Sequence, residues 1–445
     1  MRHSKAVRGN AGVLVGFFAL LSCAAITHAA YVFTPLASTG DAVPDGGGAT
    51  FSSLTWASGK ANGAFSLYGS AGPATAVTLR GVYASAGPSS PLVRLADTTT
   101  SVPAGGGATF SGFSSYLAGG GATVAFAGYD PSGPAGIYSA PTSGGPLSVV
   151  ADFSTPRPGG TGTFGFFGPM ISAYGGTTAF SGGGAANADP AVYFADAGGL
   201  HRIVDNSTVV PGATTAVSVS TQMAGSGSNP AAPPDLVFGS GTNYFVRRGS
   251  DGRLAQALSL TTKAPGAPSN GTFTGTPTAF RVGDGAVTFT ADVTTLHGQF
   301  HDGLYRYDID TATLARVADI TMAGPDGIGN FTDFGTSFAH GQSTLFNAYG
   351  SFINGFDNYL SVYLAGPGGD ISSVLRTGDL LDGKQVYAAH LNDLIGDTAY
   401  VTVDWEGGGS TLYATQVPEP GAAAALATVA AASLLRRRNA ARRPG

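Results

Sequence analysis

His201, His297, His301, His340 and His390 are the imidazoles downstream of residue 29, and their spacing decides whether they can do chemistry. His297 and His301 form HGQFH, followed by Asp302. On a helix, imidazoles four residues apart share a face and can ligate one metal. Gly298 and Gly303 and the strand-like runs on either side make this stretch a loop instead, so no metal site is expected there. Asp308 and Asp310 in YDIDTAT resemble part of a calcium loop, but the sixth-position glycine and the closing glutamate are missing. A hairpin turn fits them better. The glycine runs 46–48, 105–107, 182–184 and 407–409 lead into β-type segments and carry no following GK[ST], so they read as turns and not as phosphate cradles. No serine has glycine at both −2 and +2, which excludes a nucleophile elbow. No catalytic residue, metal ligand or cofactor is therefore expected. The exception would arise if the polar residues that break the pattern described below, among them His297, His301, Asp302, Asp357 and Asp404, converged in space.

The elements that would carry these residues are short strands. Glycine makes up 69 of 445 residues, charged residues only 11%, and short runs of Val, Phe, Tyr and Thr alternate with Gly/Pro/Ser/Asn turns. The turns recur. Asp97, Asp152, Asp205 and Asp319 each stand six residues before a proline (Pro103, Pro158, Pro211, Pro325). Ser259 and Ser38 keep the same spacing to Pro265 and Pro44, and Arg376 opens a last copy, TGDLLDGKQVY. These anchors lie 53 to 60 residues apart and divide the chain into seven copies of one unit. In the second copy the strands are expected at 109–117, 123–128, 136–140 and 147–151. The second strand alternates small and large apolar residues, and the third carries a tyrosine in each copy: Tyr83, Tyr138, Tyr193, Tyr244, Tyr305, Tyr363 and Tyr413. These tyrosines read as packing residues between units. The anchor aspartates read as turn residues bonding local backbone N–H groups.

Four strands per unit and seven units predict an all-β fold, a seven-bladed β-propeller over residues 30–417. The last copy stops after its third strand, while a spare strand, Tyr31-Val32-Phe33, precedes the first anchor. That strand is expected to complete the seventh blade and remove the open edges. An open solenoid or a chain of small sandwiches is the alternative, and it leaves the mismatch of the ends unexplained.

The two ends read as addresses. Arg2, Lys5 and Arg8 precede an apolar run and a small-residue site, Thr27-His28-Ala29, as in a secretory signal peptide cut between Ala29 and Ala30. A lipoprotein reading through Cys23 fits less well, because Leu20-Leu21-Ser22 is a poor lipobox. Cys23 is the single cysteine and would leave with this segment, so the mature chain would hold no disulfide. At the other end, Pro418-Glu419-Pro420 precedes an apolar run, 421–435, and a basic cluster, Arg436, Arg437, Arg438, Arg442 and Arg443. As a helix the 15-residue run would span roughly 22 Å, enough to enter a bilayer but short for a permanent anchor. The arginines would keep its end on the cytoplasmic side. This tail, 418–445, resembles the PEP-CTERM sorting signal of Gram-negative bacteria. The resemblance implies transient insertion in the inner membrane and removal of the tail by an exosortase-type enzyme at Pro418-Glu419-Pro420. It also implies a final place at the cell surface or in the extracellular matrix of an exopolysaccharide-forming cell.

The whole chain has 22 Lys+Arg and 27 Asp+Glu. Without the three basic residues of the signal, and without the five arginines and Glu419 of the tail, 14 basic and 26 acidic residues remain, a net of −12. That balance argues against nucleic acid as a partner. Signal peptidase, an exosortase and exopolysaccharide are the expected partners of an exported, non-enzymatic surface protein. The alternative is a secreted polysaccharide hydrolase or lyase on the same scaffold.

Overall fold

The computed structural model describes residues 31–418 apart from 60–63, 73–78, 104, 121, 175, 211–215, 217–222, 227–234, 241, 268–270, 295–299, 326–328 and 351–358. The signal segment, Ala29–Ala30 and the tail from Glu419 onward, including Pro420 and Arg436, Arg437 and Arg438, lie outside the described residues, as do His297 and Asp357. No α-helix occurs among the described residues.

The strands form seven antiparallel sheets, one per sequence unit. Blade 1 runs Phe51–Gly59, Phe65–Ala71, Leu79–Ser85, Val93–Asp97, and blade 2 runs Gly112–Gly120, Thr123–Asp130, Gly133–Pro141, Ser148–Asp152. The blade 2 strands match the expected ones to within a few residues at each end. Blades 3 to 6 repeat the order, beginning at Phe166, Met223, Thr272 and Phe331. The first strands of successive blades adjoin one another around the axis. The Phe51–Gly59 strand meets both Gly112–Gly120 and the first strand of blade 7, Lys384–Ile395, so the ring is closed.

Blade 7 is built from both ends of the chain. Lys384–Ile395, Thr398–Trp405 and Ser410–Gln416 are followed by the N-terminal strand, Phe33–Ser38, which pairs antiparallel with Ser410–Gln416 from Phe33 opposite Thr415 to Ser38 opposite Thr411. The closing strand was expected at 31–33 and lies a few residues further on. Its register is set by its partner strand, which no local pattern reveals.

Each apolar cluster straddles two blades. Val82 and Ala84 of blade 1 pack with Phe110, Phe126 and Tyr138 of blade 2. Ala127 and Ile137 of blade 2 pack with Phe164, Phe180 and Tyr193 of blade 3. Leu412 and Ala414 of blade 7 pack with Phe51, Phe65 and Tyr83 of blade 1 across the seam. The small/large alternation of the second strand follows from this arrangement. Phe126 faces the preceding blade, while its neighbours Ala125 and Ala127 face the following one, so large residues of one blade meet small residues of the next. All seven repeated tyrosines are buried. Most stand edge-on to the phenylalanine that opens their blade, as in Phe51–Tyr83 at 5.0 Å, Phe110–Tyr138 at 5.1 Å and Phe273–Tyr305 at 4.9 Å. Such pairs are worth about 0.5–1.5 kcal/mol beyond the area they bury. A ring of ligand-stacking tyrosines is thereby excluded at these positions.

Candidate functional site

The anchor aspartates are turn residues. Asp97 Oδ1 accepts from Thr99 N at 2.8 Å, Thr99 Oγ1 at 2.6 Å and Thr100 Oγ1 at 3.1 Å, and Asp152 and Asp205 repeat this with Ser154/Thr155 and Ser207/Thr208. Burial pushes each of these carboxyls up, but the hydrogen bonds outweigh it and hold all of them below the usual carboxylate range. The Asp308/Asp310 segment is a hairpin, as expected. Asp308 Oδ1 accepts from Thr311 N at 2.8 Å, and Asp310 pairs with Arg248 at 2.8 Å.

His201 is exposed beside Asp196. His301 lies within a strand, Phe300–Asp308, opposite Val293, although the sequence pattern made the whole HGQFH stretch a loop. Strand pairing across blade 5 extends further than its glycines suggest.

Antiparallel strands reverse at each hairpin, so the starts of first and third strands and the ends of second strands share one axial end. Polar residues of blades 5 to 7 gather at that end. Asp302, at the start of Phe300–Asp308, lies opposite Asp292 and within hydrogen-bonding reach of Asp333 in blade 6. Burial and then the Asp333 carboxyl push Asp302 up to about 7, so Asp302 still carries its proton in part at neutral pH. In blade 7, His390 Nε2 lies 3.0 Å from Asp404 Oδ2, and Ser410 Oγ donates to Asp404 Oδ1 at 2.6 Å. Burial raises the Asp404 carboxyl, but these two bonds outweigh it and keep it ionised. The residue types match a serine hydrolase but the order does not: nucleophilic catalysis needs the imidazole between serine and carboxylate, and here the carboxylate sits in the middle. Of the pattern-breaking residues, Asp302 and Asp404 thus join separate clusters in different blades.

At the opposite end, the first hairpin turns of blades 5, 6 and 7 converge. His340, only 4% exposed at its side chain, lies 3.8 Å from Asp284 Oδ2 and 3.7 Å from Asp397 Oδ1. The His340 ring holds the Asp284 carboxyl below its usual range. Buried Arg306 donates to the carbonyls of Ser343 and Gly341 in the same turn. On the first strand of blade 7, Asp393 accepts from Ser58 Oγ at 3.0 Å and Gly59 N at 2.9 Å, across the seam from blade 1. Its carboxyl is pushed up by burial, which hydrogen bonds from Leu394 N–H, Ser58 and Gly59 N–H and, least, the charge of Arg281 of blade 5 only partly offset.

Neither Asp393 nor Arg281 stood out in the sequence. The available signal was a charge in LNDLIG and in TAFRVG, where other first strands hold small or apolar residues. Among the described residues, no group of three or more His, Cys, Asp or Glu is placed to hold a metal ion.

No family model and no curated protein matches the chain. Among solved structures it is similar to the β-propeller domain of the Trilobed protease from Pyrococcus furiosus, at 9% identity over 82% of this chain and 94% of that one, with a TM-score of 0.46. It is also similar to the GH74 xyloglucanase from Xanthomonas campestris, at 13% identity, 88% coverage and a TM-score of 0.46, where it spans about half (54%) of that chain. At these identities and TM-scores the likeness says nothing of activity or ligand.

Proposed function

We propose that the chain is an exported, non-enzymatic protein of the cell surface or extracellular matrix, sorted by its C-terminal tail, with the propeller as a scaffold for binding exopolysaccharide or another surface partner. The observation that supports this reading is where the tail begins. Val417 is 1% exposed, belongs to the core of blades 6 and 7, and its N–H donates to Asp397 O at 2.7 Å. The next residue opens Pro-Glu-Pro, so a processing enzyme could remove 418–445 without cutting a packed strand. Intact-mass measurement of the protein from native cells and medium tests it. A species starting at Ala30 and ending near Val417 is expected; one that keeps the arginines would sink the sorting reading and leave a tail-anchored domain.

A second reading, a secreted polysaccharide hydrolase or lyase, draws on the Asp302–Asp333 pair. Glycoside hydrolysis uses carboxyls about 5 Å or more apart, with sugar or water between them. A hydrogen-bonded pair leaves no such room, which is why the binding reading is preferred. Release of reducing ends from the host's own polysaccharide, abolished by Asp302→Asn, would reverse that preference.

A further inference from the structure

In a sevenfold repeat the shared residues build the ring, and departures from the pattern mark what one blade does differently. The residue after the phenylalanine at the entry of each blade (Phe51, Phe110, Phe164, Phe273, Phe331) is Ser52, Ser111, Gly165, Thr274 and Thr332 in blades 1, 2, 3, 5 and 6, and Val386 stands at the place of the phenylalanine in blade 7. The residue after Val386 is Tyr387, 64% exposed. Tyr387 is the extra residue of a β-bulge: Val386 lies opposite Trp405 and Ala388 opposite Asp404, with Tyr387 between them. Such a bulge turns the side chain outward. Val386 and Trp405 point into the core, while Ala388, His390 and Asp404 occupy the other face. The aromatic ring therefore stands on the side of the sheet that presents the His390–Asp404–Ser410 cluster.

The support is rigid. Leu380–Leu381 pairs with Lys384–Gln385 around a tight turn in which Asp382 and Gly383 both have positive φ (51° and 74°). Buried Tyr413 donates to Asp382 Oδ2 at 2.7 Å, and Lys384 Nζ lies 5.4 Å over the Trp405 ring. Thr377 Oγ1 donates to the Tyr387 carbonyl itself at 3.0 Å. Leu380, 76% exposed, lies opposite Gln385, two residues before Tyr387, and widens the apolar surface.

We propose that Tyr387, with Asp404 and His390, forms a binding subsite for a neutral polysaccharide. The inference rests on the binding reading above and names its ligand class and place. An exposed aromatic ring on a backbone held in place offers a flat apolar face to the C–H side of a sugar ring, with only two side-chain torsions to fix. Asp404 accepts sugar hydroxyls as an ionised acceptor already oriented by Ser410, and His390 offers its second ring nitrogen. Neutral chains are specified because the propeller carries a net of −12 and the subsite centres on a carboxylate, both of which repel uronate or sulfate groups.

Affinity electrophoresis of the full chain tests this, in gels containing hydroxyethylcellulose, galactomannan, dextran or glycogen, with alginate as the anionic arm. At least one neutral polymer should retard the wild type. Tyr387→Ala should weaken that retardation at least tenfold at unchanged melting temperature, Tyr387→Trp should keep it, and Asp404→Asn should weaken it. Retardation by none of the neutral polymers, by alginate alone, or equally for wild type and Tyr387→Ala overturns the proposal. None of these outcomes touches the sorting reading, which the intact mass decides separately.

Discussion

Ser38 Oγ lies 3.0 Å from Thr411 Oγ1, a contact between residues 373 apart in sequence that sits on the seam of the ring. Thr39 and Ser410 continue it, with Thr39 N donating to Ser410 O at 2.9 Å and Ser410 N to Thr39 Oγ1 at 3.0 Å. Closure therefore depends on a short strand next to the expected signal-cleavage site. Deleting residues 31–38 removes five cross-strand pairs, each worth about 0.2–1 kcal/mol, and bares the edge of Ser410–Gln416. The truncated chain should melt at least 5 °C lower and self-associate. Calorimetry and light scattering would show this, and an unchanged melting point would mean that the closing strand contributes little to the ring.

The turn entering each blade gives a second expectation. At Asp152 the carboxylate accepts three local donors, and the Asp152 N–H donates to Thr155 Oγ1 at 3.0 Å. Asp152→Ala should cost about 1–2 kcal/mol, since the donors lose their acceptor in a half-buried turn. The folded-state carboxyl is held below its ordinary value, so its contribution is complete above about pH 4 and disappears as pH falls through the lower folded value. Urea midpoints of wild type and variant should differ most at pH 7 and draw together as the pH falls below the ordinary carboxylate range.

Much of this architecture was legible because packing repeats. The tyrosines and the anchor turns recur at one register, since every blade meets its neighbour in the same way. Even the exceptions are systematic: at Ser38 and Arg376 the carboxylate moves three residues on, so the anchor N–H donates to Asp41 Oδ2 at 2.6 Å and to Asp379 Oδ2 at 2.9 Å. The polar clusters were not legible. Asp302 and Asp333, or His340, Asp284 and Asp397, come from successive blades, and only the packing of one blade on the next brings them together. Tyr387 was hidden for a different reason, because an exposed aromatic next to a bulge looks in sequence like any other strand residue.

Gly59 ends the first strand of blade 1 at the seam. A Cβ there would lie 2.0 Å from Tyr400 Cε2, and Tyr400 is fully buried with its hydroxyl donating to Ala64 O at 3.0 Å. Neither the ring nor the backbone can yield without opening the interface between blades 7 and 1. Gly59→Ala should therefore cost about 1–3 kcal/mol or more. The double variant Gly59→Ala/Tyr400→Leu should recover part of that loss in denaturant melts. A neutral Gly59→Ala would show that the two blades are more loosely apposed than this contact implies.

Asp302 offers the opposite pH dependence to the anchors. Its folded value, about 7, lies above the ordinary carboxylate value near 4, so the folded state binds the extra proton. Stability should fall as pH rises from about 4 to 7 and then level off, because above 7 two charged carboxylates face each other across blades 5 and 6. Asp302→Asn removes that repulsion and keeps a hydrogen-bond donor for Asp333. The variant should melt a few degrees above wild type at pH 8, and the two should draw together at pH 5. Equal shifts at both pH values would mean that the carboxyls are not hydrogen-bonded to each other, and would remove the close pairing that counts against the hydrolase reading.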